Sequence, residues 1–233
     1  GACFGEVAGW ERANWFLPAE LVSEGNTPEY KYSWGRQNWF DFAAQEHLAV
    51  RQKAGFFDMS SFAKFRLEGK DAKAVLQRIM ANDVDVEPGR VIYGQWLNNS
   101  GGIEADLTVT RLTETVFLIV TSAASATRDL AWLKKNIPEG AHCIATDITA
   151  SEAVFSIMGP TARDIMQKIS TADFSNIEFP FGTAREIEVG MALARAHRIS
   201  YVGELGWELY IPTEMAAYVF EKIIGLDASV RPK

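Results

Sequence analysis

Apolar residues recur at two periods along this chain, and the periods alternate without a regular beat. Residues 36–53 carry Trp39, Phe42, Ala43 and Ala49 at spacings that predict a helix. Val75, Leu76, Ile79 and Met80 repeat that spacing after Gly69-Lys70-Asp71, and Leu130 and Leu133 mark another helix over 124–135. Ile165, Met166 and Ile169 form a further stripe, opened by Gly159-Pro160, because proline suits the first helical turn. Met215, Val219 and Ile223 define a last helix over 214–224, with Thr213 as its predicted cap. Strand patterns lie between these helices, at 56–57, 63–67, 91–97, 103–110, 116–120, 153–157 and 184–194. Residues 1–35 show neither period and read as an irregular lead-in pinned by Trp10, Trp15, Phe16 and Trp34. Strands and helices mix without βαβ alternation, which predicts an α+β fold of antiparallel sheets with flanking helices.

Two hairpin patterns concentrate polar chemistry. In 197–212, predicted strands 197–202 and 207–211 flank Gly203-Glu204-Leu205-Gly206. A four-residue loop pairs Tyr201 with Glu208, and paired residues share a face. An aromatic ring beside a carboxylate suits a flat heterocycle with adjacent N–H donors. Taken alone, Glu208 reads more simply as a surface carboxylate, Glu204 as a solvated turn residue and Tyr201 as an amphipathic strand residue.

In 93–110, the turn Asn98-Asn99-Ser100-Gly101-Gly102 precedes a strand with two faces. Ile103, Ala105, Leu107 and Val109 form the apolar face; Glu104, Asp106, Thr108 and Thr110 form the polar one. Aspartate suits a strand interior poorly, so Asp106 invites a functional reading, although a solvated strand face explains the alternation as well. A four-residue loop puts Tyr93 opposite Asp106. A five-residue loop puts Gly94 there and sends Tyr93 to the other face.

Composition narrows the chemistry further. The chain has 233 residues, 48% of them hydrophobic, so its core can be substantial. A net charge of −7 with no basic stripe argues against nucleic-acid binding and against anionic membranes. No apolar run is long enough to span a bilayer, and no signal peptide is visible. Cys3 and Cys143 match no zinc or redox spacing and read as thiols. His47, His142 and His197 are scattered, which argues against a metal site. No serine-hydrolase elbow, Walker pattern or G-x-G-x-x-G occurs. Arg51, Lys53 and Arg78 read as solvated helix faces.

The two hairpin segments also carry a family resemblance. Tyr93, Asn98 and Gly101-Gly102-Ile103-Glu104-Ala105-Asp106-Leu107, followed by Arg198 and Tyr201-Val202-Gly203-Glu204-Leu205-Gly206-Trp207-Glu208-Leu209, resemble the tetrahydrofolate-binding domain of glycine-cleavage T-proteins. Met158-Gly159-Pro160 and Phe57-Asp58-Met59-Ser60 agree with it, and the match covers 36–233. Residues 5–16 resemble the segment preceding this domain in dimethylglycine and sarcosine dehydrogenases. The resemblance implies a T-protein-like fold lacking its C-terminal barrel. It implies a lead-in (1–35) from a missing upstream FAD domain, a first folate-binding subdomain (36–65 plus 156–233) and a second (66–155).

It also implies a function: capture of an iminium or formaldehyde-level carbon as 5,10-methylenetetrahydrofolate, with tetrahydrofolate bound here and FAD confined to the missing domain. By resemblance Asp106 is the catalytic residue. Glu208 binds the pterin, with Tyr201, Tyr93, Arg198 and Ser122 around the folate. Thr110 and Ser122 replace a family tyrosine and asparagine, which fits the demethylating-dehydrogenase branch. Two alternatives remain: a non-catalytic interaction module like the pyruvate dehydrogenase phosphatase regulatory subunit, and a folate-dependent demethylase of another methyl donor. The implied partners are a small N-methyl amine-derived iminium, the missing FAD domain and the barrel, without nucleic acid or membrane. The resemblance implies a soluble protein of the cytoplasm or mitochondrial matrix.

Overall fold

A computed structural model describes residues 1–226. The chain opens with a hairpin, β1 (Ala2–Val7) and β2 (Trp10–Phe16), followed by helices α1 (Ala19–Ser23) and α2 (Phe40–Gln52). Strands β3 (Gly55–Asp58) and β4 (Ala63–Glu68), helix α3 (Ala72–Ile79), and strands β5 (Val91–Leu97), β6 (Ile103–Arg111) and β7 (Val116–Thr121) come next. Then follow α4 (Ala126–Lys135), β8 (Ile144–Asp147), β9 (Glu152–Met158) and α5 (Ala162–Ile169). The described chain ends with β10 (Ala184–Val189), β11 (Ala192–His197), β12 (Gly206–Pro212) and α6 (Ala216–Ile224).

The strands assemble into two five-stranded antiparallel sheets, ordered β10-β11-β12-β9-β3 and β5-β6-β7-β4-β8. Each sheet buries one face under helices. Trp207, Leu209 and Ile211 of β12 pack with Ile165, Met166 and Ile169 of α5 and Val219 and Ile223 of α6. Ala105, Leu107 and Val109 of β6 pack with Val75, Leu76 and Ile79 of α3 and Leu133 of α4. The stripes of α3, α5 and α6 and the strand alternation predicted from sequence are thus buried surfaces, whereas α2 has no buried residue. A third cluster joins the sheets, where Val154 and Tyr210 of the first meet Leu118 of the second around Met59. At the β9–α5 turn, Gly159 holds φ +138°, and a Cβ there would come within 2.6 Å of the Ala54 Cα. Only glycine allows that approach.

Several expectations need correction. Residues 1–35 are not an irregular lead-in: they form the β1–β2 hairpin and α1. Trp15 is buried and stacks on Phe42 at 5.7 Å, whereas Trp34 is fully exposed and Phe16 half so. The region 184–194 splits into two strands around Gly190 (φ +61°), and β8 had no sequence expectation. Helix α5 begins two residues beyond Pro160, and the Thr213 hydroxyl donates to the Ala150 carbonyl instead of capping a helix.

Both hairpin registers also differ from expectation. His197, not Tyr201, lies opposite Glu208, and residues 198–205 form an eight-residue loop. Pairing of β11 with β12 stops at His197, although Arg198 N–H still donates to the Thr183 carbonyl beside β10, while β12 continues along β9. In the other hairpin Gln95 faces Asp106 and Tyr93 faces Thr108. A bulge between Trp96 and Leu97 leaves Glu104 unpaired across the ladder, which absorbs the extra residue. Neither shift changes the parity of the pairing, so Tyr93 keeps the face of Asp106.

Candidate functional site

A cleft of about 760 Å³ opens where the two sheets meet. Asp106 and Tyr93 line it from the second sheet and Glu208 and Tyr210 from the first. Tyr201 and Ser200 line it from the loop 198–205, and Ser122 from the end of β7. The structure therefore brings Asp106, Glu208, Tyr201, Tyr93 and Ser122 to one cavity. It does not bring Arg198 there. That guanidinium donates to Asn176 Oδ1 at 2.7 Å and to the Phe179 carbonyl, and lies 5.6 Å over the Trp207 ring.

The Asp106 wall is open to water. Asp106 Oδ2 accepts from the Tyr93 hydroxyl and Oδ1 from Gln95 Nε2, each at 3.1 Å. The hydrogen bond to Asp106 and its negative charge raise the Tyr93 phenol above its ordinary range. Both donors sit on β5 at alternate positions, so strand geometry alone aims them at one carboxylate.

The Glu208 wall is dry. Glu208 is 6% exposed, and burial raises its carboxyl above the ordinary 4.5, opposed by a hydrogen bond from Tyr210. The Tyr210 hydroxyl donates to Glu208 Oε2 at 2.9 Å; Oε1 has no protein donor among the described residues. Beneath Tyr210 lies His197, with ring centroids 4.2 Å apart. Arg195 Nε donates to His197 Nε2 at 3.2 Å, and Arg195 also forms two bonds to Glu152 at 2.8 and 2.9 Å. Since Arg can only donate, Nε2 accepts and the neutral ring carries its proton on Nδ1. That proton faces Thr110 Oγ1 across the sheet interface at 3.5 Å. Burial and the Arg195 charge hold His197 well below its ordinary pKa of 6.5.

The rim has its own supports. Tyr201 is 69% exposed and packs edge-on against Phe62, ring centroids 5.8 Å apart. The buried Lys64 ammonium donates to the Ser60 and Phe62 carbonyls at 2.9 and 3.0 Å, fixing the Phe62 turn. Burial lowers Lys64 to about 8. Glu204 is not a solvated turn residue but pairs with Arg51 of α2, so Arg51 is not a free helix-face charge. Arg78, likewise, donates to the Asn136 carbonyl. Ser122 Oγ accepts from Ala124 N–H at 3.3 Å, and Thr121 and Ser125 donate to the buried Asp129 at 2.7 Å.

Sequence reasoning missed Gln95, Ser200, Tyr210 and His197. Gln95 was legible as a same-face neighbour of Asp106 only with the register known, whereas strand alternation alone puts Tyr210 on the face of Glu208. Ser200 carried no signal, yet its hydroxyl is buried without a partner and the residue lines the cleft. Such an orphan in a polar-lipped cavity fits a ligand group. Among the described residues no cluster of His, Cys, Asp or Glu could hold a metal ion, and no helix is long and apolar enough to cross a membrane.

The family described as GCVT N-terminal domain matches residues 1–232. The chain is 42% identical over 223 residues to 4-methylaminobutanoate oxidase (formaldehyde-forming) of Paenarthrobacter nicotinovorans, covering 96% of this chain and 26% of that protein. It is 33% identical over 218 residues to mitochondrial dimethylglycine dehydrogenase of Mus musculus, covering 93% and 24%. The chain thus spans about a quarter of the length of these curated relatives. Among solved structures, glycine cleavage system aminomethyltransferase T of Bartonella henselae superposes with a TM-score of 0.74 at 28% identity, covering 97% of this chain and 54% of that one.

Proposed function

The chain belongs to the GCVT N-terminal domain family, and on that premise we propose that its cleft binds tetrahydrofolate and loads it with a one-carbon unit at the formaldehyde level. One observation carries the reading: a buried carboxylate with a free oxygen and an exposed, doubly held carboxylate line the same cavity. A pterin edge presents ring N–H and exocyclic NH₂ donors side by side, which a carboxylate accepts in parallel bonds. Glu208 has the burial and the vacant oxygen for that edge. The unpartnered Ser200 hydroxyl offers a further polar contact, and Phe62 and Tyr201 offer ring faces.

Bound tetrahydrofolate supplies the nucleophilic nitrogens that take up the one-carbon unit. The residues of this chain do the rest. Glu208, with one oxygen fixed by Tyr210, orients the ring. Asp106 lines the same cleft and is exposed, and a carboxylate so placed stabilises positive charge and takes the proton released as the new C–N bond forms. Holding two small reactants together supplies much of the rate effect.

In this reading the chain is the folate part of a dimethylglycine or sarcosine dehydrogenase-like protein. FAD would be held on another domain and would supply the oxidation of the N-methyl amine. The site residues would be Asp106 for chemistry and Glu208, Tyr201, Tyr93 and Ser122 for folate. Arg198 would act by bracing the loop. We retain the two-subdomain division as part of the proposal, with the boundaries expected at 65/66 and 155/156 moved so that β4 (Ala63–Glu68) stays whole with the second sheet and β9 (Glu152–Met158) with the first.

The test follows the carbon. The full-length gene product would be given N-methyl amines, dimethylglycine and 4-methylaminobutanoate first, with tetrahydrofolate and a formaldehyde scavenger. Transfer within the protein yields methylene-folate despite the scavenger. Complete diversion of the carbon to the scavenger, with no tetrahydrofolate binding, would support an interaction module instead.

A further inference from the structure

We infer that Gln95 is a positioning residue that fixes the plane of the Asp106 carboxylate for one-carbon transfer. The inference rests on the function proposed above.

A carboxylate on a strand turns easily about its last side-chain bond, whose energy profile is broad. One donor leaves it free to pivot about that contact. Two donors, one on each oxygen, define its plane. Asp106 has this arrangement: Gln95 holds Oδ1 and Tyr93 holds Oδ2, both at 3.1 Å. The two differ in their relation to the cleft. Tyr93 and Asp106 line it, whereas Gln95 is half-buried and does not. Gln95 therefore reaches a ligand only through Asp106.

The backbone is built to make this contact. Gln95 stands directly opposite Asp106 because the bulge at Glu104 shifts the register, and Asn98 Nδ2 pins that bulge by donating to Glu104 Oε1 at 2.9 Å. The far edge of β5 is braced as well. Ala81 N–H donates to the Gln95 carbonyl at 2.8 Å, and Asn82 Nδ2 donates to the Tyr93 carbonyl at 3.0 Å. Trp96, next along the strand, is wholly buried. Residue type matters at this position. An amide can donate to a carboxylate, leucine cannot, and glutamate would set two like charges face to face.

The test compares Gln95→Leu and Gln95→Glu with Asp106→Asn in the full-length gene product, after matched thermal melts establish folding. Both Gln95 variants should lower kcat for methylene-folate formation by about ten-fold to a hundred-fold, the scale expected for a displaced reacting group. Tetrahydrofolate affinity, followed by tryptophan fluorescence, should stay within about two-fold, because the loss is confined to the reacting step. A second readout needs no ligand. Asp106 raises the Tyr93 phenol while Gln95 opposes that effect. In free protein carrying ¹³C-tyrosine, Gln95→Leu should therefore move the Tyr93 titration upward and Asp106→Asn downward. Wild-type kcat in both Gln95 variants, beside an inactive Asp106→Asn, would overturn the inference and leave the proposed function standing. Equal losses of kcat and affinity would also overturn it, since Gln95 would then shape the binding site itself. Full turnover in Asp106→Asn would remove the proposed role of Asp106, and this inference with it.

Discussion

The wall carrying Asp106 and the wall carrying Glu208 are built from similar antiparallel strands, yet they hold their carboxylates under opposite conditions. Asp106 is exposed and accepts two side-chain donors. Glu208 is buried and accepts one, which leaves Oε1 without a protein donor among the described residues. A ligand bringing donors to that oxygen supplies charged hydrogen bonds that the free protein lacks. An exposed carboxylate offers little binding energy, but it is accessible to a reacting group. The difference lies in what surrounds each strand. β12 is central and covered on both faces, whereas β6 lies one strand in from the sheet edge and leaves Asp106 exposed.

The sharpest break between the walls should come from removing each charge in turn. Asp106→Asn is expected to reduce turnover by about 10²- to 10⁴-fold, the usual range for a lost acid–base group, while sparing folate affinity. Glu208→Ala should do the reverse, weakening tetrahydrofolate binding by roughly 1.5–3 kcal/mol as a charged hydrogen-bond acceptor is lost. Calorimetric titration beside steady-state kinetics separates the two effects.

A pH series sharpens the contrast further. Burial raises the Glu208 carboxyl above 4.5 in the free fold. Its neutral form therefore contributes stability that is present below pH 4.5 and lost as pH rises through the raised value. Glu208→Gln should then melt higher than wild type at pH 8, with the gap closing toward pH 4.5. Folate affinity should run the other way in wild type, rising over the same window as the carboxylate forms. His197 has the opposite sign. Its pKa is depressed, so its contribution is present above pH 6.5 and lost as pH falls.

The smallest effect is expected at Arg198. Its contacts are to Asn176, Phe179 and Trp207, away from the cleft. Arg198→Lys should change folate affinity by less than about 0.5 kcal/mol, as for substitutions outside a contact network. A loss as large as that of Glu208→Ala would return Arg198 to the site.

Much of this arrangement was legible in the residues. The helical stripes of α3, α5 and α6 and the apolar face of β6 follow from spacing, because burial on one face leaves a periodic trace. Asp106 stood out by being a poor strand residue, and Glu208 by its place on a hairpin. Pairing was not legible. The Glu104 bulge and the end of β11 at His197 leave no period in the sequence. That is why Tyr201 was set beside Glu208 in place of His197, and why Gln95 went unnoticed. The β1–β2 hairpin was hidden for another reason: much of its surface is exposed, so its alternation carries little hydrophobic signal.

The division of labour between the two walls is tested most directly by one measurement. Tetrahydrofolate would be titrated calorimetrically into the full-length gene product as wild type, Glu208→Gln and Asp106→Asn. Saturable binding to wild type and Asp106→Asn, with affinity reduced about ten-fold or more in Glu208→Gln, is the result predicted from a charged hydrogen-bond acceptor. Wild-type affinity in Glu208→Gln would contradict it.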